Sequence, residues 1–203
     1  MDWYYINSEG HLILVSEREG EEHVLFSENG SSVEVKDRSI LPTLSGNSNF
    51  QNDDRSSPDQ KMRRVLVKDE NGILREKLIS TYKKADGHAA VISSASEAKK
   101  VFEFAASNSD VEWGLKKYEN GKWVVGTIHL HSLAPNFESL GEDFAFKKTV
   151  YNAHSHSGSD EYIHFTPSEE DRDVAGRLKE INPNAQSWLF RPKHPKQKWL
   201  KIK

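Results

Sequence analysis

From about residue 93 the spacing of apolar residues changes period in a fixed order, and that order restricts the fold more than any other feature of the chain. In "SSASEAKKVFEFAASNS", Ala98, Val101, Phe102 and Ala105 fall at i, i+3, i+4 and i+7, which is one face of a helix. Ser94 followed by Glu97 reads as a capping box at its start. "VEWGLKKYENGKWVVGTIHLHS" then reads as a hairpin around Asn120-Gly121, and "KKTVYNAHSHS" reads as a strand. "PSEEDRDVAGRLKEINP" reads as a second helix, opened by Pro167 and Ser168 and closed by Asn182 and Pro183. "QSWLFRP" and "QKWLKIK" close the chain as two strands. The series helix, strand, strand, strand, helix, strand, strand predicts an α+β fold, an α/β sandwich in which helices cover a curved mixed sheet.

The upstream part reads differently. "YYINSEGHLILV" is strand, turn, strand, and "HVLFSENGSSVEVKD" repeats that pattern around Asn29-Gly30. Residues 1–41 are therefore expected to form a small N-terminal β-meander. Residues 42–64 are rich in Ser, Asn, Asp and Gly and poor in apolar side chains, so they read as a polar linker with the composition of a disordered segment. The main domain is expected over 65–203. Its first stretch, "RVLVKDENGILREKLISTYK", is two apolar runs around Asn71-Gly72, and "ILREKLIST" is open to a strand or a short helix.

Hydrophobic residues are 35% of the 203 and charged residues 29%, which allows one modest core. Five Trp, six Tyr and nine Phe supply bulk for it. A net charge of −3 gives no global reason to expect nucleic acid as a partner. Residues 191–203 are the exception, with Arg191, Lys193, Lys196, Lys198, Lys201 and Lys203 and no acid. They read as lysines on the outer face of a strand pair or as a patch for an acidic partner. The chain has no cysteine, which excludes disulfides, thiolate metal ligands and a Cys nucleophile. No apolar run is long enough to span a membrane, so no membrane partner is expected. "MDWYYINSEGHLILV" lacks the basic and apolar regions of a Sec signal peptide, so export would need another route.

The chemistry concentrates in "NAHSHSGSDEYIHFTPSEEDRDVAG", residues 152–176. Alternate residues of a strand share a face, so His154 and His156 project side by side with Ser155 opposite. Two such imidazoles can share one zinc ion at about 2.0–2.1 Å each. Asp171, in the first turn of the following helix, is the candidate third ligand, and Asp160 is a competing carboxylate. Each half has an ordinary reading as well: a chance strand pair, and a Ser168–Asp171 capping box favoured by the helix dipole. Together they are much rarer. Three protein ligands leave zinc an open position, the arrangement of catalytic sites. Glu112, in "DVEWGL" among apolar residues, is the candidate general base; its alternative is a solvated place at a strand edge.

Glu112, then His154-Ser155-His156, then Pro167-Ser168 and Asp171 resemble the JAMM (MPN+) metalloprotease motif, and the resemblance covers roughly residues 90–203. The Glu-Trp-Gly start and "SWLFRP" are most similar to the JAB-like toxin domains of bacterial RHS and other polymorphic toxins. The resemblance implies a cytidine-deaminase-like, MPN-like fold. It implies His154, His156 and Asp171 as ligands of Zn2+, Glu112 as the catalytic base, and Ser168 as a hydroxyl that stabilises the tetrahedral oxyanion. It implies hydrolysis of an amide or isopeptide bond in a protein or peptide substrate, ubiquitin-like proteins included. It further implies an effector delivered into a target cell and a cognate immunity protein. The segment between His156 and Asp171 is longer than is usual in the family, and Ser157-Gly158 stand where Pro commonly follows the second histidine.

Two other classes compete. A metal-free MPN-like scaffold would bind a partner without cleaving it, but such scaffolds lack the full ligand set that this chain has. A metal-dependent nuclease would use the same histidines and the basic terminal strands. A second His-x-His pair, His129 and His131 in "TIHLHS", reads as strand residues that orient ligands from behind, with a metal role of their own as the alternative.

Overall fold

The computed structural model describes residues 2–16, 23–36, 40–41, 62–68, 74–80, 87–129, 131, 134–157 and 165–203. The chain divides into two compact units, one of residues 1–52 and 85–203, the other of residues 53–84. The second unit contains an antiparallel pair, β5 (Met62–Lys68) and β6 (Leu74–Ser80), so the run open to strand or helix is a strand. Most of the expected linker, residues 42–61, lies outside the described residues, and its last three residues belong to β5.

In the larger unit the N-terminal strands are β1 (Trp3–Ile6), β2 (Leu12–Ser16), β3 (His23–Ser27) and β4 (Ser32–Val35). They form their own four-stranded sheet in the order β2-β1-β3-β4. Both expected hairpins are present, but β1 pairs parallel with β3, so the sheet departs from meander order. Two hairpins laid side by side bury one apolar face, including Tyr4, Ile6, Leu25 and Val35, in a shared core.

The main sheet has six strands in the order β12-β11-β10-β8-β9-β7. They are β7 (His88–Ile92), β8 (Trp113–Tyr118), β9 (Trp123–Thr127), β10 (Thr149–Ser155), β11 (Gln186–Phe190) and β12 (Trp199–Ile202). Every pair is antiparallel except β10 with β11. Helix α1 (Ala95–Ser107) buries Ala98, Val101, Phe102 and Ala105, the face expected from their spacing. That face meets Trp113, Leu115, Val125 and Phe190 of the sheet and the apolar side of the N-terminal strands. Each buried Val or Phe there contributes on the order of 1.5–3 kcal/mol. The Ser94 hydroxyl accepts from Glu97 N at 3.4 Å. The reciprocal half of the box is replaced, because the Glu97 carboxylate accepts from Lys36 N of the N-terminal sheet at 3.1 Å.

The opposite face of the sheet carries two smaller clusters. Three 3-10 turns between Glu138 and Lys148 bring Phe137 and Phe144 against Tyr118 and Val124. Helix α2 (Glu169–Ile181) sets Ala175 and Leu178 inward, and Ala175 packs with Leu189 and Ile202. The architecture is the expected α+β sandwich. Among the described residues no helix is long and apolar enough to cross a membrane.

Candidate metal centre

The parallel pairing of β10 and β11 dictates where the site lies. Parallel neighbours need a crossover, and here the crossover contains α2. A helix that returns the chain to the start of the next parallel strand must begin near the end of the strand before it. The first turn of α2 therefore meets the end of β10. His154 pairs with Gly114 on one side and Leu189 on the other, on the face that α2 covers. His156 lies just past the strand, yet its N–H donates to Phe190 O at 2.9 Å. That bond prolongs the extended backbone, so both rings project to one side.

Their Nε2 atoms stand 3.2 Å apart. Asp171 Oδ1 lies 3.0 Å from His154 Nε2, and Asp171 Oδ2 lies 3.4 Å from His156 Nε2. Two ligands at zinc distances on a tetrahedron are separated by about 3.3 Å. The three side chains thus form a possible metal site with ligand atoms already at that spacing. Both side chains are 9% exposed, so few water molecules compete for their lone pairs.

Asp171 is also the N3 residue of α2, and the capping box is complete. Ser168 N donates to Asp171 Oδ2 at 2.8 Å, and Asp171 N donates to Ser168 Oγ at 3.1 Å. The capping and ligand readings are therefore compatible. The cap fixes the carboxylate through Oδ2 and leaves Oδ1 directed at His154. Burial acts to raise the Asp171 pKa, but the charge of His154 and hydrogen bonds from both histidines and Ser168 hold it far below the usual carboxylate range. Burial likewise acts to lower the pKa of His154, and Asp171 with Glu112 outweighs it, so the net shift is upward.

Glu112 lies one residue before β8. Its Oε1 is 3.9 Å from His156 Nε2, and it is 7% exposed, which removes the solvated-edge reading. The β8–β10 register explains the placement, because continuing it past the His154–Gly114 pair sets Glu112 opposite His156. Two bonds fix the Glu112–Trp113 peptide unit, from which the carboxylate side chain departs. Thr127 Oγ1 donates to Glu112 O at 2.7 Å, and Trp113 N donates to Ser155 Oγ at 2.9 Å. Sequence reasoning missed both positioning hydroxyls. The alternation that put Ser155 behind the two histidines was the available signal for one of them.

Other expected features lie elsewhere. His129 and His131 are not strand residues, since β9 ends at Thr127 and His129 has φ +56°. His131 Nδ1 donates to Asp110 O, and Ser157 Oγ donates to the same carbonyl at 2.7 Å. His129 faces His11 and His88 instead, with candidate ligand atoms of the three rings all within 4.8 Å of one another. Burial lowers the His129 pKa from 6.5 to about 4. Arg191 does not join an outer basic patch: it is 5% exposed and donates through Nη1 to Phe165 O at 2.8 Å. Asp160, Glu161 and His164 lie outside the described residues.

Residues 90–176 match the family model described as JAB-like toxin 1. The matched span opens within β7, ends within α2, and contains Glu112, His154, His156, Ser168 and Asp171. No curated protein and no solved structure matches the chain.

Proposed function

We propose that the protein, whose residues 90–176 match the JAB-like toxin 1 family model, is a zinc-dependent metallopeptidase that hydrolyses an amide or isopeptide bond. The observation that carries this reading is the convergence of His154 Nε2, His156 Nε2 and Asp171 Oδ1, with the Glu112 carboxylate 3.9 Å from His156. His154, His156 and Asp171 would hold the ion, through two neutral nitrogens and one carboxylate oxygen, a donor set suited to zinc. Zinc in such a site supplies Lewis acidity, which polarises a carbonyl and acidifies water.

The remaining roles belong to the chain itself. Glu112 takes a proton from the water that attacks the amide carbon and hands it to the leaving amine nitrogen. Its near-complete burial raises the worth of that transfer, because bulk water does not solvate the carboxylate. Ser168 Oγ accepts from Asp171 N and keeps its own O–H proton to donate to the developing oxyanion. Asp171 draws the α2 N-terminus to the histidines, so the cap that starts the helix also orients the hydroxyl.

The substrate class is a protein or peptide, with ubiquitin-like conjugates the first to examine. Action inside a target cell, restrained by a cognate immunity protein in the producer, accords with the toxin family. The purified chain should contain stoichiometric zinc and cleave one member of a panel of ubiquitin-like and peptide substrates. A chelator should abolish zinc content and cleavage, and His156→Ala should lose cleavage together with the equivalent of zinc held at this site. Purification without zinc, with partner binding unaffected by chelator, would instead establish a metal-free scaffold.

A further inference from the structure

A second group of imidazoles lies apart from the site above. His11 precedes β2, His88 opens β7, and His129 follows β9, so three separate segments contribute one ring each. The His11 and His129 rings are stacked with centroids 4.2 Å apart, and His88 meets His129 edge-on at 4.7 Å. We propose that His11, His88 and His129 form a second site for a divalent transition-metal ion of the zinc class, which ties the first turn of the N-terminal sheet to β7 and the end of β9.

The orientation of His129 carries the argument furthest. Its Nδ1 donates to Glu9 O at 2.7 Å, which fixes the tautomer and leaves the lone pair on Nε2. Nε2 is shielded from solvent and has no hydrogen-bond partner. A backbone carbonyl on one ring nitrogen with a lone pair free on the other is the usual support of a metal-bound histidine. The backbone of His129 also lies in the left-handed region, at φ +56°, the one non-glycine residue there among the described residues. Such a conformation is sparsely populated for side chains with a Cβ and persists where its surroundings impose it. Here His129 N donates to Thr127 Oγ1 at 3.0 Å, which turns the chain out of β9 and aims the ring at the other two.

The N-terminal contribution is fixed just as closely. His11 N donates to Asn7 Oδ1 at 2.8 Å, and Gly10 N donates to Asn7 O at 3.0 Å. Gly10 has φ +79°, and a Cβ there would stand 2.7 Å from Val111 Cγ2 and 3.5 Å from His129 Nδ1. Glycine is thus required both for the turn and for its close approach to Val111, and the His129 ring stands at ordinary contact distance beside it. Asp110 N donates to Ser8 O at 2.7 Å and holds the turn against the segment that leads to Glu112.

The two candidate sites differ in readiness. Around His154 the ligand atoms already stand at the edge length of a zinc tetrahedron, whereas the three-histidine group is looser, within 4.8 Å. Occupation draws the rings in by rotation about their terminal torsions, which are soft for histidine. An ion there would fasten the N-terminal sheet to the strand whose Thr127 hydroxyl supports Glu112. The proposal does not depend on peptidase activity.

The test is metal stoichiometry on the untagged full chain, loaded with Zn2+ alone, freed of excess ion and measured by elemental analysis. Wild type should hold two equivalents, the His154→Ala/His156→Ala double variant one, and His11→Gln one. The ion kept by the double variant should stabilise it against heat, and a further His88→Gln change should remove both the ion and that effect. Zinc-free double variant, or His11→Gln with the wild-type content, would overturn the second site. Loss of zinc from His11→Gln alongside an unchanged content in the double variant would sink the His154 site and leave this one standing.

Discussion

Trp113 N donates to Ser155 Oγ at 2.9 Å, so the residue between the two candidate ligands holds the backbone next to the candidate base. Ser155 faces away from His154 and His156, yet it governs where Glu112 stands relative to them. Ser155→Ala would leave the Trp113 N–H buried and unsatisfied, at a cost of about 1–3 kcal/mol. Denaturant unfolding should show that loss while zinc content stays at the wild-type level. Unchanged stability would mean that Trp113 N finds another acceptor.

Glu112→Gln separates proton transfer from metal binding. The amide is nearly isosteric and touches none of the three candidate ligands' bonds to the ion, so zinc should be retained. Turnover should fall by about 10²–10⁴-fold, the range for loss of a general base. Zinc content and single-turnover cleavage, measured on one preparation, decide the matter. Wild-type cleavage by the variant would remove Glu112 from the mechanism.

Arg191 shows how a charged residue at a distance can serve the same centre. Buried beside β11, it donates to the carbonyls of Phe165 and Gln197. Phe165 stands close before Pro167 and Ser168, so the bond fixes the chain as it enters α2 and hence Asp171. Arg191→Ala should lower unfolding stability by about 1.5–3 kcal/mol, as for loss of hydrogen bonds from a charged group. It should also weaken zinc binding without altering the ligands. Arg191→Lys should not restore either property, because one ammonium lacks the fork that reaches both carbonyls. Wild-type zinc affinity in Arg191→Ala would detach this anchor from the site.

Local signals made α1, α2 and β10 readable from the chain. The α1 face repeats at helical spacing, Pro167-Ser168 with Asp171 announces a helix start, and His154 and His156 alternate as a strand requires. The less readable parts depend on partners far away in sequence. β7, buried at Ala89, Ala90 and Ile92, lacks the alternation of a half-exposed strand. The parallel β1–β3 pair passes over the intervening strand, which no turn residue signals. Arg191 carries the charge of a surface residue and becomes an interior one because carbonyls from two other segments meet it. His129 departs from the strand pattern of "TIHLHS" through its left-handed backbone, and strand alternation has no means of signalling that turn.

His129 also predicts a dependence of stability on pH. Burial is the main cause that lowers its pKa from 6.5 to about 4, with the nearby His11 and His88 rings acting in the same direction and the Glu9 carbonyl and carboxylate opposing. Between those two values the unfolded chain binds a proton that the folded protein refuses. Stability therefore falls as pH drops from about 6.5 toward 4, and above 6.5 this group contributes no slope. His154 and Asp171 titrate too, but comparison of wild type with His129→Gln cancels what both proteins share. With chelator present, urea midpoints from pH 7.5 down to 4.5 should fall more steeply for wild type than for His129→Gln. Solvent reaches the ring, so the difference in slope will be smaller than a fully buried histidine would give. Two parallel profiles would show that the folded protein takes up a proton at His129 as readily as the unfolded chain does.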